Sequence, residues 1–202
     1  MSQLAIIDFA HHVGDPTDIV LKVGDAEGCL ILLHSLVLKI ASPVFKSMLE
    51  GSFIEGQSKY TREHPLALPE DNAETFIVYC KILYREDPHI LACDLPALVT
   101  LADKYGSSEK LRDVFTSHLS GLLVAGMETD PSRIMDQGLL VEEVFYMAFL
   151  VGDEKLFANA SKVVLAQIST TRLIDEQRCA LGNLVPESLL GKHDKHHTSG
   201  TH

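Results

Sequence analysis

The chain has 202 residues, of which 46% are apolar and 22% charged, and its 17 basic against 28 acidic side chains give a net charge of −11. A globular chain of this size buries roughly 70% of its unfolded surface and needs no disulfide or metal staple. The acidic balance argues against a nucleic-acid binder, which needs a basic face, and against a polybasic membrane-surface protein.

Cys29, Cys80, Cys93 and Cys179 stand far apart in apolar segments and form no C-x-x-C pair, so reduced core thiols are expected. The N-terminal MSQLAIIDFAHH has no basic run ahead of its short apolar stretch, which is not the pattern of a secretion signal. No run of about 18 uncharged apolar residues is present, so no membrane span is expected. These readings place the protein in the cytoplasm or the nucleus.

In chain order, residues 1–14 read as a lead-in, and Gly14, Asp15 and Pro16 as a turn. DIVLKV at 18–23 is a predicted strand that puts Ile19, Leu21 and Val23 on one face. GDAEG at 24–28 is a hairpin loop. CLILLH at 29–34 is a second strand, apolar enough to be covered on both faces. Two such strands are marginal alone and need helices over them. Ser35 opens a short helix to Lys39 or Ile40. Ser42-Pro43 is an N-cap with proline at the first helical position, starting a helix to about Leu49 that Gly51 ends.

LAL at 66–68 is a third short strand. Pro69-Glu-Asp-Asn opens a helix with Phe76, Cys80, Leu83 and Tyr84 at helical spacing, and Asp87-Pro88 stops it. Asp94 is the expected cap of the next helix, with Leu98, Leu101, Ala102 and Tyr105 on its buried stripe and Gly106 at its end. Ser107 or Ser108 starts another. Further helices are expected over 141–151, from Asp153 to about Ile168, and from Thr170 or Thr171 to near Gly182. Residues 191–202, GKHDKHHTSGTH, are polar and histidine-rich and are expected to be disordered. The order of strand, strand, helices, strand, then helices is α+β: a small three-stranded sheet flanked by helices, followed by an all-helical extension.

The runs DIVLKVG (18–24), HSLVLKIASPVFKSMLEGSFIEG (34–56), PLALPEDNAETFIVYCKILY (65–84) and LVTLADKYG (98–106) resemble the BTB/POZ domain, element by element and in order. SPVFKSMLEGSFIEGQ, LPEDNAETF and VFYMAFLVGDEKLF (144–157) are similar to the BTB proteins of filamentous fungi. The resemblance implies a BTB/POZ domain over 15–122 and a helical C-terminal extension over 123–190. It implies a non-catalytic protein–protein interaction module: a substrate adaptor for a cullin-type ubiquitin ligase, and a homodimer. The alternative is a transcription- or chromatin-associated regulator that acts through protein contacts without touching DNA.

In relatives that bind cullin, the contact uses an apolar-x-Glu motif shortly after the SPVF helix, and Phe53-Ile54-Glu55 match it here. An exposed aromatic beside an acid is also the composition of an interface hot spot. In the zinc-finger transcription factors with BTB domains, the first-strand Asp pairs with a basic residue directly after the second-strand His to line a corepressor pocket; this chain has Asp18 and His34 followed by Ser35, so that charged pair is missing. Ile6, Ile7 and Phe9 can add an edge strand, within the chain or across a dimer, and with Asp18 and His34 they form a candidate partner surface. No G-x-S-x-G, phosphate-binding glycine loop or H-E-x-x-H is present, so no catalytic residue is assigned. His193, Asp194, His196, His197 and His202 read as a solvated tail, with no metal, cofactor or small-molecule substrate expected.

Overall fold

Ile19, Leu21 and Val23 alternate along β2 (Ile19–Val23), and all three are buried. In this computed structural model, which describes residues 4–12, 14–25, 28–50, 59–128 and 139–169, that strand lies inside a mixed sheet ordered β1 (Ala5–Asp8), β3 (Cys29–Leu33), β2, β4 (Leu66–Leu68). β3 (Cys29–Leu33) runs antiparallel to β2, from Ile19 opposite Leu33 to Val23 opposite Cys29. Four of its five residues are buried, on both faces, as its apolar sequence requires. The hairpin needs its glycines: Gly24 has φ +84°, and a Cβ on Gly28 would lie 2.1 Å from the Val23 carbonyl oxygen. β4 (Leu66–Leu68) pairs parallel with β2.

The sheet has four strands where the sequence pattern indicated three. β1 (Ala5–Asp8) pairs parallel with β3, Ala5 opposite Cys29 and Asp8 opposite Leu32. The lead-in is too short to show a full period-2 pattern, but its Ile6 and Ile7 suit a strand edge. The Asp8 carboxylate then accepts from the Ala10 amide at 2.9 Å and turns the chain into a 3-10 turn, Ala10–His12.

Seven helices follow among the described residues: α1 (Ser35–Ala41), α2 (Pro43–Glu50), α3 (Ala73–Leu83), α4 (Leu95–Lys104), α5 (Arg112–Glu128), α6 (Val141–Val151) and α7 (Glu154–Ser169). Ser42 caps α2: its Oγ accepts from the Phe45 amide at 3.0 Å and donates to the Tyr105 carbonyl at 2.6 Å. Asn72 caps α3 through the Thr75 amide, and Asp153 caps α7 through the Leu156 amide, each at 2.9 Å.

Asp94 does not cap α4. The 3-10 turn Ala92–Asp94 runs straight into the helix, so Asp94 has helical dihedrals and its side chain makes no capping bond. Ser107 does not cap α5 either. Its hydroxyl donates to the Ala102 carbonyl and accepts from Tyr79, which ties α4 to α3, and α5 begins later, at Arg112.

One hydrophobic core runs from the sheet to α7. At its centre Phe45 stacks on Tyr105 with ring centroids 4.4 Å apart, and Phe76 meets both rings edge-on at 6.3 and 5.9 Å. These three rings lock α2 and α3 to the end of α4. Leu119 of α5, Val144 and Met147 of α6 and Leu156 and Ala160 of α7 continue the core. Cys29 and Cys80 are free thiols inside it, and burial raises both their pKa values. The expected helix from residue 170 and the tail at 191–202 lie outside the described residues.

Candidate interaction surface

β1 is the outer strand of the sheet, and among the described residues nothing pairs with its far edge. Alternation sorts its side chains: Ile6 is 44% exposed, Ile7 packs partly against the core, and Phe9, just past the strand, is buried. Phe9 therefore differs from the expectation that it sits on the partner surface. It shares the inward direction of Ile7, and its ring stacks on Tyr84 with centroids 4.8 Å apart.

His34 is likewise inside rather than on the surface. Its amide donates to the Tyr84 hydroxyl at 2.8 Å. Its ring Nε2 lies 2.9 Å from the Asp15 carbonyl, which can only accept, so Nε2 carries the hydrogen. In the neutral ring, Nδ1 then accepts from the Tyr84 hydroxyl at 2.9 Å. Both ring nitrogens are thus used in fastening the lead-in turn and the end of α3 to the strand. Burial pushes the Tyr84 hydroxyl up to about 12.

Asp18 is exposed and grips the start of α1. One carboxylate oxygen accepts from the Ser35 amide at 2.5 Å and the other from the Ser35 hydroxyl at 2.7 Å. The helix amide and the hydroxyl thus supply the positive partner of the carboxylate, with no charged side chain involved.

α1 itself is apolar on both sides. Leu38 and Ala41 face the core, whereas Leu36 and Ile40 are 61% and 67% exposed. They sit four residues apart, on one outward stripe. Lys39 pairs with Glu50 at 3.4 Å beside that stripe. A groove of about 510 Å³ runs from Leu36 and Ile40 past Pro43 and Lys46 to Glu109. The pattern reading missed Leu36 and Ile40. The signal was the sequence SLVLKIA, which holds more apolar residues than one buried face of a two-turn helix can use.

A second groove of about 550 Å³ lies between α3, α4 and α6, and its buried carboxylate, Asp71, is already held by Lys104 at 2.6 Å. Phe53, Ile54 and Glu55 lie outside the described residues. Among those residues no group of His, Cys, Asp and Glu is placed to hold a metal ion, and no helix is long and apolar enough to cross a membrane.

A small mixed sheet, a hairpin strand leading into a buried His, and an α2 locked to α4 through Ser42 and Tyr105 make a distinctive constellation. A family profile for the BTB/POZ domain matches residues 10–120. The chain belongs to the BTB/POZ family. The BTB/POZ domain is a protein–protein interaction module, which accords with a surface whose prominent feature is exposed apolar side chains. The chain is also similar to a plant protein of Arabidopsis thaliana named for its BTB/POZ domain, 29% identical over 171 residues, 82% of this chain and 74% of that protein. That coverage exceeds the domain match, so the similarity extends into the helices beyond residue 120.

Proposed function

We propose that this BTB/POZ protein is a non-catalytic interaction subunit that self-associates through α1 and the β1 edge and presents a second protein with the segment after α2. The observation that carries this reading is the outward pair Leu36 and Ile40, two large aliphatic side chains in water on one stripe of α1. Burying a side chain of this kind contributes about 1.5–3 kcal/mol, so covering four of them in a symmetric pair supplies a large share of a micromolar affinity.

The far edge of β1, unpaired among the described residues, adds backbone donors and acceptors to the same reading. The charged pocket that relatives build from an Asp and a base is replaced here by the Asp18–Ser35 clamp, so self-association rests on apolar contact. Sedimentation at micromolar concentration tests the proposal. A dimer is expected for the native chain, and Leu36→Asp/Ile40→Asp is expected to weaken it at least about a hundredfold. A native chain that stays monomeric overturns it.

The second protein is a cullin scaffold. Phe53-Ile54-Glu55 follows α2 with the spacing and residue types of a cullin-contacting motif. Binding to the cullin N-terminal domain, lost in Phe53→Ala/Glu55→Lys, is the expected result, and unchanged binding removes the adaptor role. In that role the domain at 15–122 holds the scaffold and the helices at 123–190 receive the substrate. The run SPVFKSMLEGSFIEGQ supports a finer placement among BTB proteins of the filamentous-fungal type.

A further inference from the structure

We draw no further inference here: the strongest candidate, the apolar surface patch along the seam of α6 and α7, where the Phe157 ring lies 4.9 Å from that of Phe145 and 6.3 Å from that of the exposed Phe149, carries nothing because no feature of the described residues shows what covers it.

Discussion

The buried carboxylate of Asp71 takes the Tyr105 hydroxyl on one oxygen at 2.5 Å and the Lys104 ammonium on the other at 2.6 Å. The two contacts are unequal. Lys104 is 44% exposed, so water screens its pairing, whereas the Tyr105 hydroxyl is buried with the carboxylate. Through Tyr105 the bond reaches the Phe45 and Phe76 rings and the Ser42 cap, and so ties the turn before α3 to the start of α2. Asp71→Ala leaves the tyrosine hydroxyl without its acceptor and is expected to cost about 3 kcal/mol. Lys104→Met is expected to cost under about 1 kcal/mol. Urea unfolding of both variants checks the asymmetry, and equal losses would contradict it.

Three tyrosines make the fold sensitive to alkali. Burial raises the hydroxyl pKa values of Tyr79, Tyr84 and Tyr105, with the Asp71 bond and charge adding at Tyr105, and Tyr84 reaches about 12. An unfolded tyrosine loses its proton near pH 10. Above that pH the folded chain holds more protons than the unfolded one, so stability is full below about pH 10 and falls as pH rises. Buried Tyr79 and Tyr105 each remove about 1.4 kcal/mol per pH unit in that range. Absorbance at the phenolate band should show these tyrosines ionising together with unfolding, and smooth ionisation ahead of unfolding would count against their burial.

Much of this fold was legible because its signals are local. The alternation of Ile19, Leu21 and Val23, the Ser42-Pro43 start and the Phe76–Cys80–Leu83 spacing depend on neighbours within one element. The errors arose where a distant group decides. Asp94 and Ser107 are good caps by residue type, but a preceding 3-10 turn and the Ala102 carbonyl claimed them. Phe9 and His34 looked like surface residues because Tyr84, their common partner, is fifty residues from His34 in sequence. The α1 stripe was hidden for another reason: Leu36 and Ile40 pattern like core, and only the placement of Leu38 and Ala41 shows which side is inside.

Gly106 illustrates a constraint that sequence alone reads as an ordinary helix end. It adopts φ +63°, and a Cβ there would lie 2.9 Å from Cγ of Pro43, the first residue of α2. Gly106→Ala thus combines left-handed strain with a clash against a ring that cannot rotate away. A loss of about 2 kcal/mol is expected. Thermal melting checks it, at about 2–4 °C per kcal/mol for a chain of this size. An unchanged midpoint would show that α2 can shift away from α4.

The Asp18–Ser35 clamp separates the stability of α1 from its proposed use as an interface. Asp18→Ala removes a carboxylate that accepts from both the amide and the hydroxyl of Ser35, at the end of the helix where negative charge is favourable. The side chain is exposed, so water replaces part of what is lost, and a cost of about 1 kcal/mol is expected. Leu36 and Ile40 keep their outward stripe in this variant, so self-association should weaken far less than in Leu36→Asp/Ile40→Asp. Melting and sedimentation on the same samples give both numbers. If Asp18→Ala abolishes self-association while the melting point barely moves, the carboxylate itself belongs to the interface, and apolar contact through α1 is not what drives it.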